Sequence, residues 1–174
     1  EARPGSALAH ISRGIGRLTR GMQAEPKDPA LLRGAVEDFR KGLARATLKE
    51  NRLRACRAMV LPLLALGEID EALERANQAL ELLKGVEGPD ARQWRSTTLF
   101  DRACVSREVG KILTHPEERR LLFARAAADY EASAKEWSHF EAWSQAGRWH
   151  VEAGDLDAGR RALEKAAELD PTQP

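Results

Sequence analysis

The stretch FEAWSQAGRWHVEAGDLDAGRRALEKAAELDP, residues 140–171, reads as two helices joined by a tight turn. Ser138-His-Phe-Glu141 just before it has the form of a capping box, a hydroxyl at the N-cap and an acid three residues on, so a helix starts there. Gly154 follows the last periodic residue of that helix and ends it. A second helix, Leu156 to Leu169, carries Leu163, Ala166, Ala167 and Leu169, and stops before Asp170-Pro171.

Working outward, the same grammar recurs along the chain. A first helix runs from Ser6 to Met22 on Ala7, Ile11, Ile15, Leu18 and Met22. Gly14, Gly16 and Gly21 weaken it by about 1 kcal/mol each, which close approach to a neighbour would offset. Asp28-Pro29 opens the second helix as N-cap and first helical residue, and Leu32, Ala35, Val36, Phe39 and Leu43 form its stripe. The third helix spans Asn51 to Leu66, carries Leu53, Cys56, Val60, Leu63 and Leu64, should kink at Pro62, and ends at Gly67. The fourth, Ile69 to Lys84, shows Ala72, Leu73, Ala76, Ala79, Leu80 and Leu83. Asp90-Ala-Arg-Gln93 reads as a capping box for a long fifth helix reaching Leu113. Thr114-His-Pro116-Glu-Glu118 reads as a Thr cap, a Pro and dipole-complementing acids for a sixth helix ending near Glu136.

Self-comparison supports a repeat. Gly67, Gly110 and Gly154, each read as closing the first helix of a pair, lie 43 and 44 residues apart. Gly67-Glu-Ile-Asp-Glu-Ala72 and Gly154-Asp-Leu-Asp-Ala-Gly159 share one pattern, a glycine, an acid, an aliphatic residue and Asp, and each is followed by a helix. Phe140–Gln173 presents Trp143-x-x-Ala146-Gly147-x-x-His150, then Gly159-x-x-x-Leu163, Ala166 and Pro171. With that spacing the chain resembles the tetratricopeptide repeat family, a helix–turn–helix of about 34 residues. Leu53–Val86 is a second match, through Cys56, Met59, Val60, Leu63, Ala72, Ala76 and Ala79. The region around Leu99, Ala103 and Gly110 matches in its first helix. The region around Ile15, Ala35, Phe39 and Gly42 matches least. The longer period resembles members of the family such as kinesin light chains. HEAT-like repeats, also about 40–47 residues long, are the alternative architecture.

The expected fold class is therefore all-α, a right-handed superhelical solenoid of about four helix–turn–helix repeats. The expected domain is single, residues 1–174, with pairs 6–47, 51–84, 90–136 and 139–171. Composition agrees: hydrophobic residues are 43%, charged residues 32% and aromatics only 5%, with Ala, Leu, Glu and Arg abundant, which suits helices packed on Leu and Ala. Small residues at Val60/Ala72 and Gly147/Gly159 let paired helices approach.

Catalytic signatures are missing from the sequence: no Gly-rich phosphate loop, no G-x-S-x-G, no H-E-x-x-H. His10, His115, His139 and His150 form no ligand spacing, and His150 occupies the family's aromatic core position. Cys56 and Cys104 lie in apolar helical stretches as small buried hydrophobes, with no C-x-x-C. No catalytic residue, metal ligand or cofactor is expected, and no run reaches the roughly 18 apolar residues of a membrane helix. The chain begins at Glu1 rather than Met, as a piece of a longer protein would, and the expected compartment is the cytoplasm.

Residues 1–60 hold 13 Lys+Arg against 6 Asp+Glu, and residues 61–174 hold 15 against 21. A basic half admits nucleic acid as an alternative partner, but Phe39 is its single aromatic. A regulatory segment of a larger enzyme is a further alternative. The resemblance implies instead a protein-interaction scaffold, whose groove is lined by the first helix of each pair. Carried over by position, the second repeat offers Arg54, Arg57, Leu61, Leu64 and Ala65, the third Thr97, Phe100, Cys104, Arg107 and Glu108, the fourth Glu141, Ser144, Arg148, Val151 and Glu152. Arg54, Arg57, Leu61, Phe100, Arg107 and Arg148 are the expected partner contacts. They suit a peptide or protein segment with acidic and apolar residues. Leu61, Cys104 and Arg148 stand where chaperone-tail binders of the family carry Asn, so a different partner is implied. Trp94, Trp137 and Trp149 are further aromatic candidates, for packing or for binding. The face of the last helix (Leu163, Ala167) admits either continuation into further sequence or a second copy, as in a homo-oligomer.

Overall fold

The computed structural model describes residues 6–171, so Gln173, the last position of the fourth repeat, lies outside the described residues. Eight helices and no strand occur among them: α1 Ala7–Gln23, α2 Pro29–Arg45, α3 Lys49–Ala65, α4 Ile69–Leu83, α5 Pro89–Ile112, α6 Pro116–Glu136, α7 Phe140–Ala153 and α8 Leu156–Leu169. Contacts divide the chain into two units, Glu1–Lys84 and Gly85–Pro174. In each unit, helices pair as antiparallel hairpins: α1 with α2, α3 with α4, α5 with α6, α7 with α8.

In the first unit, Asp28 caps α2 through bonds from the Ala30 and Leu31 amides, 2.8 and 3.1 Å, worth about 1 kcal/mol. Pro29 follows, where its missing N–H is not needed. The α2 stripe packs as its spacing requires, with Leu32, Ala35, Val36 and Phe39 buried. Two glycines make the α1–α2 contact close. A Cβ on Gly14 would sit 2.6 Å from the Phe39 ring, and one on Gly42 would sit 2.8 Å from Ile11 Cγ1. In α3 and α4, Met59, Val60 and Leu63 pack with the small residues Ala72, Ala76 and Ala79, all sealed from solvent. α3 continues through Pro62 to Ala65.

One buried charge holds the first hairpin. Asp38, on the α2 stripe between Val36 and Phe39, is 1% exposed. Arg13 and Arg17 reach it from successive turns of α1: Arg13 Nε lies 2.8 Å from Oδ1 and Arg17 Nη1 lies 2.7 Å from Oδ2. His10 Nδ1 contacts Arg13 Nη2 at 2.8 Å. Burial alone would raise the Asp38 pKa, but the bond from Arg13 and the charges of Arg17 and Arg13 outweigh it, and the value is lowered.

The turns within the second and fourth hairpins share one design. The Glu68 amide donates to the Leu63 carbonyl at 2.9 Å and the Gly67 amide to the Leu64 carbonyl at 3.1 Å. The Asp155 amide donates to the His150 carbonyl and the Gly154 amide to the Val151 carbonyl, both at 2.9 Å. Both are Schellman closures, and they need φ of 78° and 94° at the two glycines. A side chain there would cost about 1–2 kcal/mol.

Four sequence expectations are corrected. Gly110 does not close a helix: it is buried inside α5, where a Cβ would meet the Phe123 ring at 2.6 Å. Its counterpart is Gly147, whose Cβ would lie 2.5 Å from Leu163 Cγ, rather than Gly154. The near-constant glycine spacing thus mixed turn glycines with packing glycines. Asp90 is not an N-cap, since α5 begins at Pro89 after Gly88. Thr114 is not one either, because His115 precedes Pro116 at the start of α6 without a side-chain bond. At α7 the N-cap is His139 instead of Ser138: its Nδ1 accepts from the Ala142 amide at 3.3 Å.

Replacing Asp38 by Ala should lower stability by about 2 kcal/mol in chemical denaturation at pH 7, because the charge-assisted bonds from Arg13 and Arg17, whose side chains are 53 and 37% exposed, are lost. The folded-state pKa of Asp38 lies below its unfolded value, so its contribution is complete above about pH 4 and fades as pH falls through the folded value. The gap between wild type and Asp38→Ala should therefore narrow in acid. Burial pushes the Cys56 thiol up to about 11 and also raises that of Cys104. Both thiols should resist iodoacetamide at pH 8 in the folded protein and react promptly in denaturant.

Candidate partner-binding face

In the second unit, polar and aromatic contacts position α5 and α7 against α6. Arg102 holds Asp129 with two bonds, 2.8 and 2.7 Å, clamping α5 to α6. Ser133 Oγ donates to the Ser96 carbonyl at 2.8 Å one turn away. The Phe123 and Trp149 rings meet at 4.8 Å and tie α6 to α7. His150 Nε2 lies 3.2 Å from Glu131 Oε2 across the same boundary, so this histidine is held by a carboxylate. Tyr130, fully buried, receives Phe100 edge-on at 4.9 Å.

This frame leaves an open cleft of about 330 Å³ where the C-terminus of α6 meets the N-terminus of α7. Phe100 and Thr97 come from α5, and His139 and Glu141 from the start of α7. Trp137, the C-cap residue of α6, stands on its rim and is 45% exposed. Gln93 and Ser96 complete the lining. Phe100 also touches the His139 ring, 5.9 Å between centroids. Burial lowers the His139 pKa, which keeps the ring neutral and able to accept at Nδ1 as the α7 cap. The cleft thus offers aromatic walls, amide and hydroxyl groups, and one carboxylate.

Two turns along α5 the chemistry reverses. Arg107, Lys111 and Arg148 surround the Trp149 ring, at 6.0, 5.7 and 5.3 Å from its centroid. Glu108 accepts from Arg107 Nε and Lys111 Nζ, each at 2.8 Å. Its burial would raise its pKa, but Lys111 and Arg107 outweigh that and keep it ionised. Arg148 projects to solvent.

The residues expected from sequence divide as follows. Phe100 and Thr97 line the cleft with Glu141, and Arg107 and Arg148 gather around Trp149. Cys104 is buried, its Sγ 3.2 Å from the Tyr130 hydroxyl, and is withdrawn from the surface. In the first unit, Arg54 and Leu61 are exposed and Arg57 half-buried on one face of α3. Missed were Lys111, His139 and Gln93. Lys111 had a signal in its position four residues after Arg107, while His139 was hidden by the misassigned cap. Trp149 packs in the core, and Trp137 is exposed. The basic surplus of residues 1–60 is partly engaged: Arg13 and Arg17 neutralise Asp38, Arg40 pairs with Glu68 and Glu71, and Lys41 with Glu37. Among the described residues no His, Cys, Asp or Glu group has metal-holding geometry, and no helix is long and apolar enough to cross a membrane.

No family model matches the chain, and no curated protein matches it. Among solved structures it is similar to the crystal structure of MamA, with a TM-score of 0.68 and 17% identity over 97% of this chain and 80% of that one. It also aligns with YrrB, described as a TPR protein with an unusual peptide-binding site, at a TM-score of 0.38 and 15% identity over 98% of this chain and 90% of that one, a likeness too slight to carry an argument. Paired helices, glycine-mediated close packing, recurrent Schellman turns and the likeness to MamA together make this a tetratricopeptide-like helical-repeat fold.

Proposed function

We propose that this protein is an interaction scaffold whose second unit binds a partner segment along the exposed face of α5 and α7. The observation that carries this reading is the cleft beside Trp137, a large aromatic left 45% exposed next to half-buried Phe100 and His139. An aromatic at the rim of a preformed cleft is the usual anchor of a binding hot spot. The partner places an apolar side chain there. An acidic residue of the same segment then meets the Arg107, Lys111 and Arg148 group. Phe100 and Arg107 are seven residues apart on α5, about 10 Å, which an extended peptide spans in about three residues. Arg54, Arg57 and Leu61 present the same mixture of cation and apolar surface on α3 of the first unit. Catalysis is a poorer reading, because both thiols are held protonated by burial.

Selection from a random peptide library should enrich segments with an aromatic or aliphatic residue three or four positions from Asp or Glu. Trp137→Ala should then weaken the selected peptide by about tenfold or more, roughly 1.4 kcal/mol. Arg148→Ala should do less in high salt than in low salt, since the contact is ionic and exposed. Peptides without an acid, or an affinity untouched by Trp137→Ala, would remove the α5/α7 face from the reading.

A further inference from the structure

Three hairpins set a first-helix glycine against one large residue of the second helix: Gly14 on Phe39, Gly110 on Phe123, Gly147 on Leu163. The three large residues are therefore equivalent in place, but their exposures are 0, 6 and 44%. Phe123 is covered by the first helix of the following hairpin, through Trp149. Leu163 lacks such cover among the described residues. It shares the α7–α8 surface with Leu156 and Val151, also exposed.

The first helix of the chain carries a surface of the matching kind. Leu8 and Ile15, seven residues apart and so on one helical face, are 41 and 49% exposed. Ser12 and Gly16 lie beside them. Gly14 and Gly21 are explained by Phe39 and by Leu31 and Leu32, which a Cβ would strike. Gly16 is different: a Cβ there would meet nothing within 4 Å. A mid-helix glycine destabilises its helix relative to Ala, and among the described residues no neighbour uses the space it leaves. Charge is complementary between the two surfaces' hairpins. Residues 6–47 hold 8 Lys+Arg against 4 Asp+Glu and residues 140–171 hold 4 against 7, so the two hairpins carry opposite net charge even with Arg13 and Arg17 paired to Asp38.

We infer that the chain self-associates head to tail, with α1 of one copy seated on the α8 face of another as α7 is seated on α6 within the second unit. Leu8 and Ile15 cover Leu163 and Leu156, Gly16 admits the close approach, and the opposite charges set register and orientation. The contact is heterologous, so each added copy leaves a new face open, and assembly continues beyond a dimer unless it closes as a ring.

Sedimentation velocity over micromolar to millimolar concentration tests this. The wild-type chain should show species larger than a dimer that shrink as salt is added. Ile15→Glu and Leu156→Glu replace exposed residues that no hairpin contact uses, so both should keep the wild-type circular dichroism and melting temperature, yet each alone should be monomeric. Mixed, they should form a one-to-one heterodimer and stop there, since each retains the face the other has lost. A wild-type chain that stays monomeric throughout, a mixture that stays monomeric, or a symmetric dimer indifferent to Ile15→Glu would each overturn the proposal.

Discussion

Glycine in the first helix of a hairpin, facing a large apolar side chain in the second, sets how near the two helices lie. At Gly14, Gly110 and Gly147 even one methyl would collide with a ring or a leucine already packed in place. The apolar burial this allows, about 1.5–3 kcal/mol for a side chain such as Phe39, exceeds the helix penalty of about 1 kcal/mol for each glycine. The hairpin turns obey a related limit. Gly67 and Gly154 adopt positive φ so that two orphan carbonyls find amide donors, and the chain can reverse within two residues.

Once helices lie that close, polar groups on the facing stripes must be paired. Asp38 meets Arg13 and Arg17, Asp129 meets Arg102, and Ser133 meets Ser96, each joining two helices of one hairpin. Such pairs contribute little net stability compared with apolar packing, but they penalise any slip in register, because a slip would leave a buried charge alone. They also decide which charges are left for a partner. Arg13 and Arg17 are committed to Asp38, whereas Arg148 is left for a partner.

The binding face follows from the same packing. Trp149 fills the space between α6 and α7, which draws Arg107, Lys111 and Arg148 around its ring. Tyr130 supports Phe100 from below and turns its other edge toward the cleft. The cations and the cleft thus share one surface as a consequence of two buried aromatics. Family position alone named Phe100, Arg107 and Arg148. It also named Cys104, which the structure buries, because a position list cannot register how far a small side chain recedes behind larger neighbours.

Local chemistry by itself determined the all-α class, the helix order and most helix limits. Periodicity, Asp28-Pro29 and the turn glycines act within a few residues and leave the rest of the chain little say. It also determined that Trp143, Gly147, Gly159 and Leu163 form one repeat. Tertiary structure decided what local pattern could not. Gly110 and Gly154 look alike in sequence but differ in backbone conformation, and nothing local to Phe123, Trp137 and His139 gave a hint of which would pack, stand exposed or cap. The pairing of Asp38 with arginines more than twenty residues away was equally hidden. Those outcomes depend on which side chains occupy the facing helix, and sequence distance along one helix carries no information about that.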